Sequence, residues 1–245
     1  MARQVRSEAT RRKILDAAID VFSEVGYAAA GWNTIIERTG MTKGALYHHF
    51  DSKESLASAI IEEGSDAILD AFRNVCGSSS PALENMIHGT FRILDVLSSD
   101  KTARGAVQLT AALNGFNRAA ANFCATLIEL MASQARRAGA EGDVRADLDP
   151  VVVSESIVAA VFGTLLLRNA IAAEGLAELR DGGRARGVNG GSSGATSQHW
   201  ELVLGGIGTE GSLPYFREFL AREALRHSPP AAPSAGDDVP MPKVV

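Results

Sequence analysis

An all-α fold is predicted by three features of this 245-residue sequence. Apolar residues recur three or four positions apart in most segments, as they do on one face of an amphipathic helix. Helix start signals precede these segments, and glycines or polar clusters follow them. Hydrophobic residues make up 46% of the chain and charged residues 22%, which is ordinary for a globular protein with an ample core.

Ten helices are predicted in order, each bounded by a local signal. Ser7 caps the first, and Gly26 and Gly40 end the first and second, because glycine adopts the left-handed conformation readily. Thr42 caps the third, and Pro81 takes the first position of the fifth. The predicted segments are approximately 8–25, 32–39, 43–50, 53–75, 81–97, 101–113, 117–138, 151–173, 199–204 and 213–226.

The start of the fourth helix divides the chain into two units. Asp51 and Glu54 have the spacing of a capping box, and Ser52 is the alternative cap. The N-terminal unit is predicted to span residues 1–55 and the larger C-terminal unit residues 56–227. A stretch rich in glycine, serine and arginine, 181–198, is predicted to be a mobile loop, and the proline-rich residues 228–245 a disordered tail.

The third predicted helix combines features that suit the major groove of DNA. Gly44 and Ala45 are small and allow a close approach of the backbone, while Leu46 and Phe50 are apolar anchors. Hydrogen-bonding side chains lie between them. The major groove is about 12 Å wide and admits a helix of this kind.

Each hydrogen-bonding residue of this region has a chemical role on DNA. Lys43 suits the O6 and N7 atoms of a guanine, or alternatively a phosphate, and Thr42, Tyr47 and Lys53 suit phosphate oxygens. A basic arm over residues 1–13, with five Arg or Lys residues and one acid, is predicted to reach further phosphates, although the chain has a net charge of −5. The predicted DNA contacts are Thr34, Thr42, Lys43, Gly44, Ala45, Tyr47, His48 and Lys53.

From Ile14 to Leu56 the sequence resembles the TetR family of bacterial transcriptional regulators. The segments that carry the resemblance are Ile-Leu-Asp-Ala-Ala in the first helix, Gly26-Tyr27, and the run Thr-Lys-Gly-Ala-Leu-Tyr-x-His-Phe-x-Ser-Lys-Glu-x-Leu from Thr42. The family implies a three-helix helix-turn-helix DNA-binding domain followed by a helical ligand-binding and dimerisation domain. It also implies a cytoplasmic homodimer that binds a palindromic operator in double-stranded DNA.

One position departs from the family pattern. Gly31 and Trp32 stand at the start of the second helix, where the family usually has a small hydroxyl residue as the cap. Asn33 or Thr34 is the substitute for a phosphate contact at this helix end.

The C-terminal unit is similar to the γ-butyrolactone-receptor subgroup of actinomycetes. The similarity lies in the opening Met-Ala-Arg-Gln, in the loop 142–147 and in Trp200-Glu201-Leu202. It implies a repressor released by a small-molecule effector, with a pocket lined by Phe91, Gln108, Phe116, Phe123, Leu127, Phe162 and Thr164. The subgroup has a tryptophan in its pocket-lining helix where this chain has Leu127. The alternative is therefore a ligand-unresponsive pseudo-receptor that acts as a constitutive repressor or a co-regulator.

No enzyme, cofactor, metal or membrane function is predicted. Gly190–Gly194 satisfies G-x-S-x-G, but no strand precedes it and no helix follows it, as a nucleophile elbow requires. Gly206–Gly211 satisfies G-x-G-x-x-G and could follow a strand at Trp200–Leu204, but only one helix fits after it, without the second strand and the acid of a dinucleotide site. His48 and His49 are adjacent and face different ways, which excludes a metal pair. The two cysteines are predicted to be buried thiols, and no apolar run approaches the roughly 20 residues that span a bilayer.

Overall fold

The computed structural model describes residues 2–77, 80–113, 115–173 and 192–227, and ten helices lie within these ranges. The all-α prediction is confirmed. In chain order the helices are α1 Ala2–Ala29, α2 Trp32–Thr39, α3 Lys43–His49, α4 Lys53–Cys76, α5 Ala82–Ser99, α6 Lys101–Ala112, α7 Arg118–Glu141, α8 Pro150–Ala173, α9 Ser192–Ile207 and α10 Leu213–Arg226.

The first helix begins earlier than predicted and is interrupted where predicted. It starts at Ala2, so Ser7 lies inside the helix and does not cap it. At Gly26 the backbone leaves the helical conformation, with φ 76° and ψ 158°, and one short turn continues to Ala29. A positive φ is strained for any residue with a Cβ, which explains the glycine.

Short-range caps define the turn and the third and fourth helices. Gly40 ends α2 in the left-handed conformation with φ 64°, and the Thr42 Oγ1 accepts a hydrogen bond from the Ala45 amide at 3.3 Å. At the start of α4 the structure selects Ser52 over Asp51. The Ser52 Oγ accepts from the Ser55 amide at 3.0 Å, and the Ser55 Oγ accepts from the Ser52 amide at 3.2 Å.

Helix α5 begins at Ala82, one residue after its predicted start at Pro81, and a long-range contact caps it. Pro81 precedes the helix and makes no side-chain cap. Instead, the Ala82 amide donates to the Glu141 Oε2 at 2.7 Å. Glu141 is available because α7 runs three residues beyond its predicted end at 138, and Gly142 follows it as the cap, with φ 84°. The contact joins the start of α5 to the end of α7.

The predicted mobile loop is wrong over its last seven residues. Helix α9 begins at Ser192, so residues 192–198 are helical. The rest of that stretch, 181–191, and the predicted tail 228–245 lie outside the described residues.

Helix α4 takes part in both hydrophobic clusters of the molecule. Its first turns, including Leu56 and Ile60, pack with α1, α2 and α3. Its later turns, including Ile68 and Phe72, pack with α5, α7, α9 and α10. Gly64 lies between the two sets. Any movement of α4 therefore affects the packing of both units at once.

Helix α8 corrects the expectation that no apolar run approaches the length of a membrane span. Among the described residues one helix is long and apolar enough to cross a membrane by length and composition, Pro150–Leu167, with a mean hydropathy of 2.0. Only 28% of these residues are buried within this chain. An apolar helix with this much exposed surface needs a further partner for burial.

Candidate nucleic-acid interface and core cavity

Helix α3 is held by apolar residues on one side and exposes its polar residues on the other. Leu46 is fully buried and Phe50 nearly so, and both pack with α1 and α4. The opposite face exposes the side chains predicted to contact DNA. Its exposed residues are Lys43, Gly44, Tyr47 and His48, which share a face because they are spaced three or four apart.

The surroundings of this face include two exposed hydroxyl side chains. Thr34 on α2 and Thr42 before α3 are exposed, and Ala45 is half-buried beneath the exposed residues. Helix α3 contains no acidic residue. Burial lowers the pKa of His49, and the nearby His48 and Arg11 lower it further, so this imidazole is neutral at pH 7. Lys43 is the one lysine or arginine on α3.

Lys53 was predicted to contact a phosphate, but in the structure its ammonium donates to carbonyl oxygens of the protein. Its Nζ lies 2.8 Å from the Tyr27 carbonyl oxygen, 3.1 Å from that of Ala30 and 3.4 Å from that of Ala28. It also lies 4.5 Å from the centroid of the Tyr27 ring. An ammonium has three protons to donate, and three carbonyls take them. Lys53 thus joins the start of α4 to the end of α1.

Replacing Lys53 with methionine is therefore expected to reduce stability without changing the salt dependence of DNA binding. Loss of these hydrogen bonds leaves partly buried carbonyls unpaired and costs about 1–3 kcal/mol in the free energy of unfolding. Urea denaturation measures that loss, with the exposed Lys13→Met as the matched control. A phosphate contact would give the reverse pattern, with stability unchanged and the salt slope smaller by about one.

Two residues of the basic arm are also used within the protein. Arg11 is paired with Glu63 on α4. Arg12 donates to the Thr102 Oγ1 at 3.1 Å and lies 3.5 Å from Asp16. These contacts tie α1 to α4 and α6. Arg11 and Arg12 are thus paired within the chain, and contact of the basic arm with phosphates stays a prediction.

The core cavity lies between α5, α7 and α8 and is very small. Leu127 and Phe162 line it, as predicted, and the Phe123 ring lies 5.9 Å from that of Phe162. The space amounts to about 10 Å³, which is roughly one water molecule. Known ligand pockets are about 300–1,000 Å³.

Sequence analysis missed the polar group of this cavity. Thr90 lines it, and its Oγ1 accepts a hydrogen bond from the Trp200 Nε1 at 2.8 Å. The same hydroxyl donates to the Ile87 carbonyl oxygen at 2.7 Å. The sequence signal that could have revealed it is the single hydroxyl residue, Thr90, among the apolar residues on the buried face of α5. Because this hydroxyl and this indole N–H are both used within the protein, neither donates to a ligand.

Three of the predicted pocket residues, Phe91, Phe116 and Thr164, lie apart from the cavity. Phe91 is buried against the His227 ring, at a centroid distance of 5.1 Å. Phe116 is 89% exposed in the turn before α7. Thr164 is half-buried and does not line the cavity.

Gln108 faces α1 and lies in another cleft. Its Oε1 accepts from the Ser23 Oγ at 3.4 Å, in a cleft of about 210 Å³ between α1 and α6. Gly105 and Ala112 on the same face of α6 line that cleft as well. The resemblance placed Gln108 in the ligand pocket, but the side of α6 that carries it faces α1.

Comparison with known proteins identifies the family. Residues 14–60 match the model of bacterial regulatory proteins, tetR family. The chain is 30% identical to the A-factor receptor protein of Streptomyces griseus, over 89% of this chain and 70% of that protein. This chain belongs to the TetR family.

Two further similar proteins extend the comparison. The HTH-type transcriptional regulator UidR of Escherichia coli (strain K12) is 29% identical over 71% of this chain and 92% of its own length. A crystal structure of a gamma-butyrolactone receptor (ArpA like protein) superposes with a TM-score of 0.73 at 25% identity, covering 90% of this chain and 99% of that chain. The protein is accordingly a non-enzymatic, DNA-binding transcriptional regulator, as the sequence predicted.

Proposed function

We propose that this TetR-family regulator is a cytoplasmic repressor that binds a palindromic operator as a homodimer. The exposed face of α3 carries this proposal, because it combines small residues with Lys43 and Tyr47 on a rigid, apolar base. Each α3 enters the major groove of one half-site, and the two half-sites lie about 34–36 Å apart. Lys43 contacts a guanine edge or a phosphate, and Thr34, Thr42 and Tyr47 contact phosphates.

In vitro selection from random duplex DNA tests the proposal without knowledge of the target genes. The expected result is a palindrome bound far more tightly than random DNA at about 0.15 M salt, since specific sites typically exceed nonspecific ones by at least 10³-fold. Recovery of no preferred sequence would contradict the proposal.

Helix α8 supplies the dimer interface in this proposal. Val152 is 56% and Leu167 66% exposed, and both lie on one apolar stripe of the helix. Ala159 and Gly163 lie between them and allow the close approach of a second helix. Burial of this stripe against its symmetry-related copy explains an apolar helix in a soluble regulator.

Double substitution of Val152 and Leu167 by glutamate is expected to produce a monomer, because four charges would then be buried across the two-fold axis. Analytical ultracentrifugation measures the mass. Operator affinity should fall at least about 100-fold, since binding at a second linked half-site typically contributes that much. Phe116→Glu, at an exposed aromatic residue outside α8, is the matched control and should remain dimeric. If the doubly substituted protein remained a dimer, the interface would lie elsewhere than on α8.

A small-molecule effector is the natural regulator in this proposal, supported by the relatives named as A-factor and gamma-butyrolactone receptors. Binding between α5, α7 and α8 would require α8 to move outward, and α4 packs against both α5 and α7. A ligand that favours the moved state would shift the operator-binding equilibrium by its difference in affinity.

The small volume of the core cavity favours a second candidate, a repressor that does not respond to a ligand. The cavity holds about one water molecule, Leu127 replaces the tryptophan of the subgroup, and the Thr90 and Trp200 donors are already paired. Titration of the operator complex with A-factor distinguishes the two candidates. Release of DNA supports the effector-controlled repressor, whereas an unchanged complex at millimolar A-factor supports the unresponsive one.

A further inference from the structure

Trp32 lies at the point where α2 approaches the exposed face of α3. Its ring centroid is 5.6 Å from that of Tyr47, with an angle of 57° between the planes. The same Tyr47 ring has a second neighbour, the Lys43 Nζ, at 5.7 Å from the centroid. Trp32 therefore contacts the tyrosine that, with Lys43, makes up most of the hydrogen-bonding capacity of α3.

Tyr47 needs such a neighbour because helix geometry alone does not orient it. Its side chain is 47% exposed. An exposed side chain on a short helix samples more than one rotamer, and fixing it on DNA loses conformational entropy. An aromatic ring held against Tyr47 restricts this sampling before DNA binds.

Trp32 is well placed to hold Tyr47 because α2 is itself firmly packed. Ile35 is fully buried in the N-terminal cluster, and Trp32 packs against the same cluster. The Arg38 guanidinium forms two hydrogen bonds to Glu24 on α1, at 2.6 and 2.8 Å. The indole thus rests on a helix anchored at both its start and its end.

The Trp32 indole also has a cost in folding stability, which a purely structural role would not explain. Its Nε1 is buried and has no hydrogen-bond partner in the described part of the chain. A buried, unpaired N–H destabilises the folded state. Phenylalanine would remove that N–H and retain an aromatic ring, but it would present a smaller surface to Tyr47.

We propose that Trp32 is a positioning residue for DNA recognition, which sets the direction of the Tyr47 phenol and keeps the Lys43 ammonium beside it. This inference rests on the proposed operator binding by α3. Trp32 acts through Tyr47 and makes no direct base contact.

A double-mutant cycle on operator binding tests the inference, with the duplex selected by the unmodified protein as the probe. Trp32→Phe is expected to weaken binding about 5- to 20-fold in the natural background and less than about 2-fold in a Tyr47→Ala background, because residues that act as a unit are not additive. The thermal unfolding midpoint of Trp32→Phe should change little, because loss of the unpaired N–H offsets the loss of indole packing.

The outcomes separate the inference from the function on which it rests. Equal losses in the two backgrounds, or no loss in the natural background, would overturn the positioning role while operator binding stands. A binding loss accompanied by an equivalent loss of stability would show that Trp32 is only structural. Failure of the unmodified protein to select any duplex would overturn both proposals.

Discussion

Replacement of Lys43 by alanine is expected to weaken operator binding by about 1–3 kcal/mol, or roughly 5- to 150-fold. Lys43 is exposed at the start of α3 and is the one lysine or arginine of that helix. Loss of a contact to a guanine edge removes a hydrogen bond that other base pairs cannot provide. Fluorescence anisotropy on the selected duplex measures the affinity, and a repeat of the selection with the variant measures the sequence preference.

The changes in sequence preference and in salt dependence caused by Lys43→Ala distinguish the two proposed partners of Lys43, a guanine and a phosphate. A guanine contact predicts a relaxed preference at one position of each half-site, whereas a phosphate contact predicts a uniform loss and a salt slope reduced by about one per half-site. Arg222→Ala removes one positive charge from the exposed surface of α10 and is the matched control. Affinity within about 2-fold of the unmodified protein would exclude Lys43 from the interface.

Replacement of Gly64 by alanine is expected to destabilise the protein by at least about 3 kcal/mol, at the upper end for overpacked cores. A Cβ at this position would lie 2.4 Å from the Thr102 carbonyl oxygen and 2.6 Å from the Ala106 Cβ. Both atoms belong to α6, and a backbone oxygen moves only if α6 moves. Urea denaturation measures the loss.

The matched control for Gly64 is a glycine in an open place. Gly139 lies within α7, and a Cβ there would meet nothing within 4 Å. Gly139→Ala should stabilise the protein by about 0.5–1 kcal/mol, because alanine favours the helix. Equal stability of both variants would show that α4 and α6 are not in close contact. Since α4 joins both clusters, Gly64→Ala should also weaken operator binding.

The local structure of the N-terminal unit was determined by the sequence to a large extent. The bounds of α2, the turn at Gly40 and the cap at Thr42 agree with prediction. Each depends on contacts between residues at most four positions apart, or on the backbone conformation of a single residue. The family resemblance is similarly local, because it depends on fixed offsets within one stretch.

Only the tertiary structure decided which charged and polar groups remain available for function. Lys53 and Arg11 have the composition of phosphate ligands, yet carbonyls on α1 and the Glu63 carboxylate hold them from 23 or more positions away. Gln108 lies apart from the core cavity, and the Thr90 hydroxyl is paired with Trp200, 110 positions along the chain. Such contacts depend on the distances between packed helices, which every core side chain helps to set. Spacing along the sequence specifies a helix face, whereas the packing of all ten helices determines what that face meets.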